Sequence, residues 1–158
     1  MTPNPDTVFS AIVFAQAIDE DWQPIDPAVE FENPVGQLFG TFSYNNMAVG
    51  SQWSALWYRD GELVFYETLP WGNGTGGYGY TDWEPSSDQW LPGAYEVQIF
   101  IGSEWKVTGY FTVIGDPPTP TPTTTYTRTN TPTLTSTVTP TATRTNTPWP
   151  TLTSTPSP

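Results

Sequence analysis

The 158-residue chain contains no cysteine and no histidine. Without thiols there is no disulfide framework, so any folded part has to rest on a packed core. This absence fits a reducing cytoplasm or a bacterial exported protein that avoids thiols. It argues against a disulfide-stapled secreted domain. Lacking histidine and cysteine, the chain has no Ser-His-Asp or Cys-His nucleophile system and no zinc site of the usual kind. Any catalysis would rest on carboxylates, since the one lysine, Lys106, belongs to no SxxK motif. Cations are scarce: Arg59 and Lys106 stand against all 16 carboxylates before residue 117, a charge of −14, which Arg128 and Arg144 bring to −12 for the whole chain. That field repels phosphate backbones and excludes nucleic acid as an expected partner. No 18-residue apolar run occurs, so no membrane-spanning helix is expected. The apolar run at 8–18 is short, interrupted and preceded by no basic residue, and reads as a strand, not a signal peptide. The chain itself reads as a segment of a longer protein.

What is abundant is divided sharply. Residues 117–158 hold 19 threonines and ten prolines and no acidic residue. Such a run cannot bury enough apolar surface to offset the entropy of ordering its backbone, and it reads as a disordered linker or stalk. The motif Thr-Arg-Thr-Asn-Thr-Pro occurs at 127–132 and again at 143–148 without apolar periodicity, which marks low complexity, not a solenoid. Its threonines are candidate O-glycosylation sites. Residues 1–6 read as a disordered start, and residues 7–116 as one domain with seven Trp, seven Tyr and eight Phe.

Within that domain strand signals dominate. Residues 8–17 are apolar. Residues 37–44 alternate, with Leu38, Gly40, Phe42 and Tyr44 on one face; at 52–59 Trp53, Ala55 and Trp57 share a face. Asp60-Gly61 is a hairpin signal, with 62–68 the returning strand. Residues 69–79 read as a Gly-rich loop and 80–83 as a short strand. At 93–101 Tyr95, Val97, Ile99 and Ile101 face inward, and after a turn at Gly102-Ser103 the 104–114 strand places Trp105, Val107, Phe111 and Val113 together. No helical pattern appears. About seven short strands with Gly/Pro/Asp turns give an all-β, antiparallel sandwich. Its expected core includes Phe42, Trp57, Tyr95, Val97, Ile99, Val107 and Phe111.

Gly93, Tyr95 and Val97 resemble the penultimate strand of an immunoglobulin-like sandwich, with Val97 where antibody domains carry cysteine and Tyr95 at the corner position. Trp57 or Trp53 resembles the buried tryptophan of the third strand. Leu91 stands where antibody domains place an acidic residue. Over about residues 12–114, the segments Ala-Ile-Asp-Glu-Asp-Trp-Gln-Pro, Gly-Thr-Phe-Ser-Tyr-Asn-Asn-Met, Leu-Pro-Gly-Ala-Tyr-Glu-Val and Gly-Tyr-Phe-Thr-Val are similar to a bacterial extracytoplasmic immunoglobulin-like module. That resemblance implies an extracellular or cell-surface location and a non-catalytic accessory, binding or spacer role. It also implies a monomeric domain tethered to others, with a surface glycan or protein as partner.

Three constellations carry candidate chemistry. Trp71, Tyr78, Tyr80 and Trp83 lie among glycines beside carboxylates and suit stacking on sugar rings, which makes a carbohydrate-binding module the alternative function; the competing expectation is that they plug the ends of the sandwich. Asp19, Asp21 and Asp26, with Glu20, Glu30 and Glu32 nearby, could offer oxygens to calcium, against the reading of a solvated turn; no other cofactor is expected. Glu67, Asp82 and Glu84 are the carboxylates a glycosidase would need, an expectation set below both others because nothing marks a pair. The string Gly72-Asn-Gly-Thr-Gly-Gly77 matches GxGxxG, but no helix follows to hold a pyrophosphate, so the match is accidental. Asn73-Gly-Thr75 is an N-glycosylation acceptor.

Overall fold

The computed structural model of the protein describes residues 4–119. The alternating segments form strands, in chain order β1 (Val8–Phe9), β2 (Val13–Ala15), β3 (Ala17–Ile18), β4 (Pro24–Ile25), β5 (Glu30–Glu32), β6 (Leu38–Asn45), β7 (Gln52–Arg59), β8 (Glu62–Pro70), β9 (Gly76–Trp83), β10 (Gly93–Ile101) and β11 (Glu104–Ile114). The 117–158 linker expectation lies outside the described residues from 120 onward. Among the described residues no helix is long and apolar enough to cross a membrane.

The strands make two main sheets. In one, β9 runs antiparallel along all of β6, from Leu38 opposite Trp83 to Asn45 opposite Gly76, while β1 and β2 share the other edge of β6. In the other the order is β5-β11-β10-β7-β8, antiparallel except that the short β5 runs parallel to β11. The chain changes sheet between β2 and β5 by way of β3 and β4, and again between β5 and β6, β6 and β7, β8 and β9, and β9 and β10. A small hairpin, β3-β4, stands apart. Six strands of eight residues or more, with the interrupted β1-β2 edge, thus form the all-β sandwich; the expected single strand at 8–17 is broken into three pieces. Residues 4–6, expected to be disordered, are tied to the end of β6: Asn4 Nδ2 donates to the Asn46 carbonyl and Asn46 Nδ2 to that of Asp6.

One aromatic core lies between the sheets. Phe14 meets Trp57 edge-on at 6.3 Å and Phe111 at 4.6 Å, Phe42 meets Trp53 at 6.4 Å, and Trp57 meets Trp83 at 6.4 Å. Each such pair adds about 0.5–1.5 kcal/mol beyond the area it buries. Phe42, Trp57, Tyr95, Val97, Ile99 and Phe111 are buried, and Val107 packs against them partly buried. Tyr95 lies flat on Phe111 at 4.9 Å, and its hydroxyl donates to the Leu91 carbonyl at 2.8 Å, fastening the corner that leads into β10. Burial pushes its phenol pKa up.

Asp60 (φ 49°) and Gly61 (φ 85°) form the β7-β8 turn with both residues left-handed, which matches the twist of the flanking strands. Trp105 departs from its expected inward place. The β10-β11 register passes from Ile99–Val107 to Phe100–Trp105, leaving Lys106 as the extra residue of a bulge. One inserted residue reverses the side-chain alternation, so Trp105 turns outward and is 57% exposed.

Candidate functional site

The segment expected to be a Gly-rich loop is mostly strand. β8 continues to Pro70 and β9 already begins at Gly76, leaving only residues 71–75 as a connection. The glycines face inward to make room for rings. A Cβ on Gly79 would stand 3.1 Å from Phe42 Cε2 and 3.1 Å from Trp71 Cη2, and one on Gly77 (φ 146°) 3.5 Å from the Tyr44 hydroxyl. Alternation therefore sends Thr81 and Trp83 inward and Tyr78, Tyr80 and Asp82 outward, opposite Ser43, Thr41 and Phe39.

The four aromatics nominated for ligand stacking consequently part company. Tyr78 is 49% exposed and Tyr80 half-buried on the outer face. Trp71 is 3% exposed: its ring stands edge-on to Tyr44 at 4.5 Å and Trp53 at 5.7 Å, and its indole N–H donates to the Gly74 carbonyl at 2.9 Å. Trp83 is clamped between Phe65, stacked at 6.1 Å, and Trp90 at 4.5 Å. Trp71 and Trp83 are packing residues, and no single exposed face carries all four.

Trp22, which composition alone did not single out, takes their place. It sits in the β3-β4 turn in the left-handed region (φ 62°), costly for so bulky a residue. The turn is held by Asp19, whose Oδ1 accepts from the backbone N–H of Asp21 at 2.9 Å and of Gln23 at 2.8 Å. The Trp22 ring meets Tyr80 edge-on, 5.9 Å away at 75°, and Tyr80 is braced behind by Phe39 at 5.6 Å.

These elements bound two neighbouring clefts. One, of about 630 Å³, lies between the 20–23 turn and Tyr78. The other, of about 430 Å³, opens between the sheet edges β8 and β9, with Trp22 and Tyr80 on its walls, the rims of Trp53 and Trp71 in its floor, and Glu67 and Asp82 reaching into it. Trp22 and Asn73 border both. The 71–75 connection is pinned from below, since the Tyr44 hydroxyl donates to the Asn73 carbonyl and the Met47 N–H to that of Thr75.

Glu67 is held by a buried relay. The Trp57 indole N–H donates to Thr81 Oγ1 at 3.0 Å, and the Thr81 hydroxyl donates to Glu67 Oε1 at 2.6 Å. Burial raises the Glu67 pKa above its ordinary value; the Thr81 bond pulls it back, and the negative charge of Asp82 raises it further. Asp82 Oδ2 accepts from Gln37 Nε2 at 2.7 Å. Two of the three carboxylates nominated for glycoside chemistry thus line one cleft from different sheets, while Glu84 falls beyond β9 and lines neither cleft.

The calcium set is not brought together. Asp19 serves the turn, Asp21 lies at the tip of the hairpin, and Asp26 follows β4 at its base. Among the described residues no group of three or more acidic side chains gathers as a metal site.

Comparison of the sequence with protein-family models finds no match, and comparison with curated proteins finds none.

Proposed function

We propose that residues 7–116 form a non-catalytic immunoglobulin-like binding module of a bacterial extracytoplasmic protein, with the Thr/Pro segment as its tether. Support for the immunoglobulin-like assignment comes from the Tyr95–Leu91 corner, from Trp57 lying opposite Val97 in the β7-β10 pair, and from β5 running parallel to the last strand. The extracytoplasmic placement rests on the composition of residues 117–158.

The observation that carries the binding role is the β8-β9 cleft, where rings and carboxylates converge on an aromatic core, in a chain with no histidine or cysteine. Screening the purified chain against saccharides and small organic ions by tryptophan fluorescence, with parallel assays of glycoside hydrolysis, tests it. Saturable binding without turnover is expected. Hydrolysis lost in Glu67→Gln would replace the binding module by an enzyme. A sugar ligand is the second reading, favoured by Tyr78 and Tyr80, which stand two residues apart on the same outer face, about 7 Å along the strand.

A further inference from the structure

We propose that the β8-β9 cleft holds an organic cation, specifically a methylated or quaternary ammonium group, an inference that rests on taking this cleft as the ligand site.

The shape of the aromatic walls is the first reason. Trp22 and Tyr80 meet at 75° with centroids 5.9 Å apart, forming a corner, not a flat shelf. A pyranose ring stacks on one flat face, whereas a rounded ammonium group takes contact from rings at an angle to each other, each offering its negative π surface. The floor, from Trp53 and Trp71, is also aromatic. Methyl groups are desolvated against such walls at little cost.

Charge is the second reason. Glu67 and Asp82 enter the same cleft, and neither has a cationic partner: among the described residues the ion pairs are Arg59–Asp60 and Lys106–Glu104. Their neutral partners, Thr81 and Gln37, orient one oxygen of each without removing the negative charge. Glu20 and Asp21 border the adjoining cleft. Sugar hydroxyls would leave the repulsion between the two carboxylates in place, and a cation between them relieves it. The surplus of carboxylates over the domain adds a long-range field that draws cations in and repels anions.

Third, the corner is built at a conformational cost. Trp22 is held at φ 62° by the Asp19 turn, and that backbone places the ring over Tyr80. Strain of this kind persists where the surroundings over-determine it, and here the result is one wall of the cleft.

The test titrates the full chain with choline, with its neutral carbon isostere 3,3-dimethylbutan-1-ol, and with cellobiose and related oligosaccharides, read by tryptophan fluorescence and calorimetry. Choline is expected to bind saturably, and the isostere about tenfold more weakly or worse. Trp22→Ala should weaken choline about tenfold, and Glu67→Gln and Asp82→Asn each several-fold, with no lowering of the melting temperature in the two isosteric variants. Added salt should weaken choline and leave the isostere unaffected. Co-sedimentation with phosphatidylcholine vesicles, against phosphatidylglycerol vesicles, tells a lipid headgroup from a free ammonium ligand. Equal binding of choline and its isostere, or choline binding indifferent to all three substitutions, would overturn the inference. Saturable oligosaccharide binding without choline binding overturns it and leaves the binding module standing. Silence across the whole panel removes both.

Discussion

Gly109 faces the side chains of Ile12 and Phe14 across the core, and its replacement by alanine probes the packing on which the cleft rests. A Cβ there would lie 2.8 Å from Ile12 Cβ and 2.9 Å from both Cε2 and Cζ of Phe14. Ordinary carbon contacts are about 3.5–4.0 Å, so the added methyl intrudes by close to an ångström. Neither neighbour can swing aside. Ile12 Cβ is bonded to the backbone, and the Phe14 ring is hemmed in by Trp57, by Phe111 and by Gly40, where a Cβ would already stand 3.2 Å from Phe14 Cε1. Relief requires β2 to move or the sheets to separate. Overpacking of this kind costs about 1–3 kcal/mol. Removing a glycine from a strand interior returns about 0.5–1 kcal/mol. At the middle of these ranges the net loss is about 1.2 kcal/mol, and for a domain of about 115 ordered residues that lowers the melting temperature by about 5 °C. Gly36→Ala is the control, because nothing lies within 4 Å of its Cβ position. Thermal unfolding followed by near-UV circular dichroism reads both variants. A Gly109→Ala protein melting with its parent, or above the Gly36→Ala control, would refute the packing described.

Three further outcomes follow from the same geometry. Tyr95→Phe keeps the ring on Phe111 and loses the bond to the Leu91 carbonyl; urea unfolding should show a loss of about 1–1.5 kcal/mol. Glu67 titrates above its ordinary value in the fold, so between that value and the raised one the native state binds more protons than the unfolded chain, and stability from this group falls as pH rises through the window. Glu67→Gln should therefore gain on the parent at about pH 7.5 and lose that advantage at about pH 3.5, below the ordinary glutamate value; an advantage independent of pH would contradict the assignment. Trp22→Gly relieves the left-handed strain while removing the cleft wall, so calorimetry should find choline binding weakened about tenfold with the melting temperature within about 2 °C of the parent.

Strand positions were legible wherever branched or aromatic residues alternate with polar ones between turn residues. The bounds of β7, β10 and β11, and the turns at Asp60-Gly61 and Gly102-Ser103, follow from that pattern alone. The first half of β9 was hidden because its inward positions are glycines: a residue without a Cβ shows no hydrophobic alternation, and Gly77 and Gly79 declare their purpose only when Tyr44, Phe42 and Trp71 are seen above them. The same blindness misplaced Trp71, since a tryptophan beside glycines reads as exposed when the glycines are in fact its cradle. Trp105 was turned outward by a one-residue bulge that leaves no mark in composition. Of the site, Tyr78 and Tyr80 were visible as aromatics near carboxylates. Trp22 was not, because an isolated ring in an acidic turn has no local partner, and its contact with Tyr80 spans 58 positions of sequence. Glu67 and Asp82 were nominated with Glu84, but only the meeting of two sheet edges selects the pair.

The most direct test of the cleft as the functional surface is the set of indole N–H resonances in a proton–nitrogen correlation spectrum during a choline titration. The rings of Trp22, Trp53 and Trp71 border the cleft, whereas Trp105 lies on the outer face of the five-stranded sheet and Trp90 lies buried. The Trp22 indole signal should shift most, Trp53 and Trp71 should follow, and Trp105 should stay still. A titration that moves Trp105 and leaves Trp22 unmoved, or moves none of them, would contradict the cleft as the functional surface.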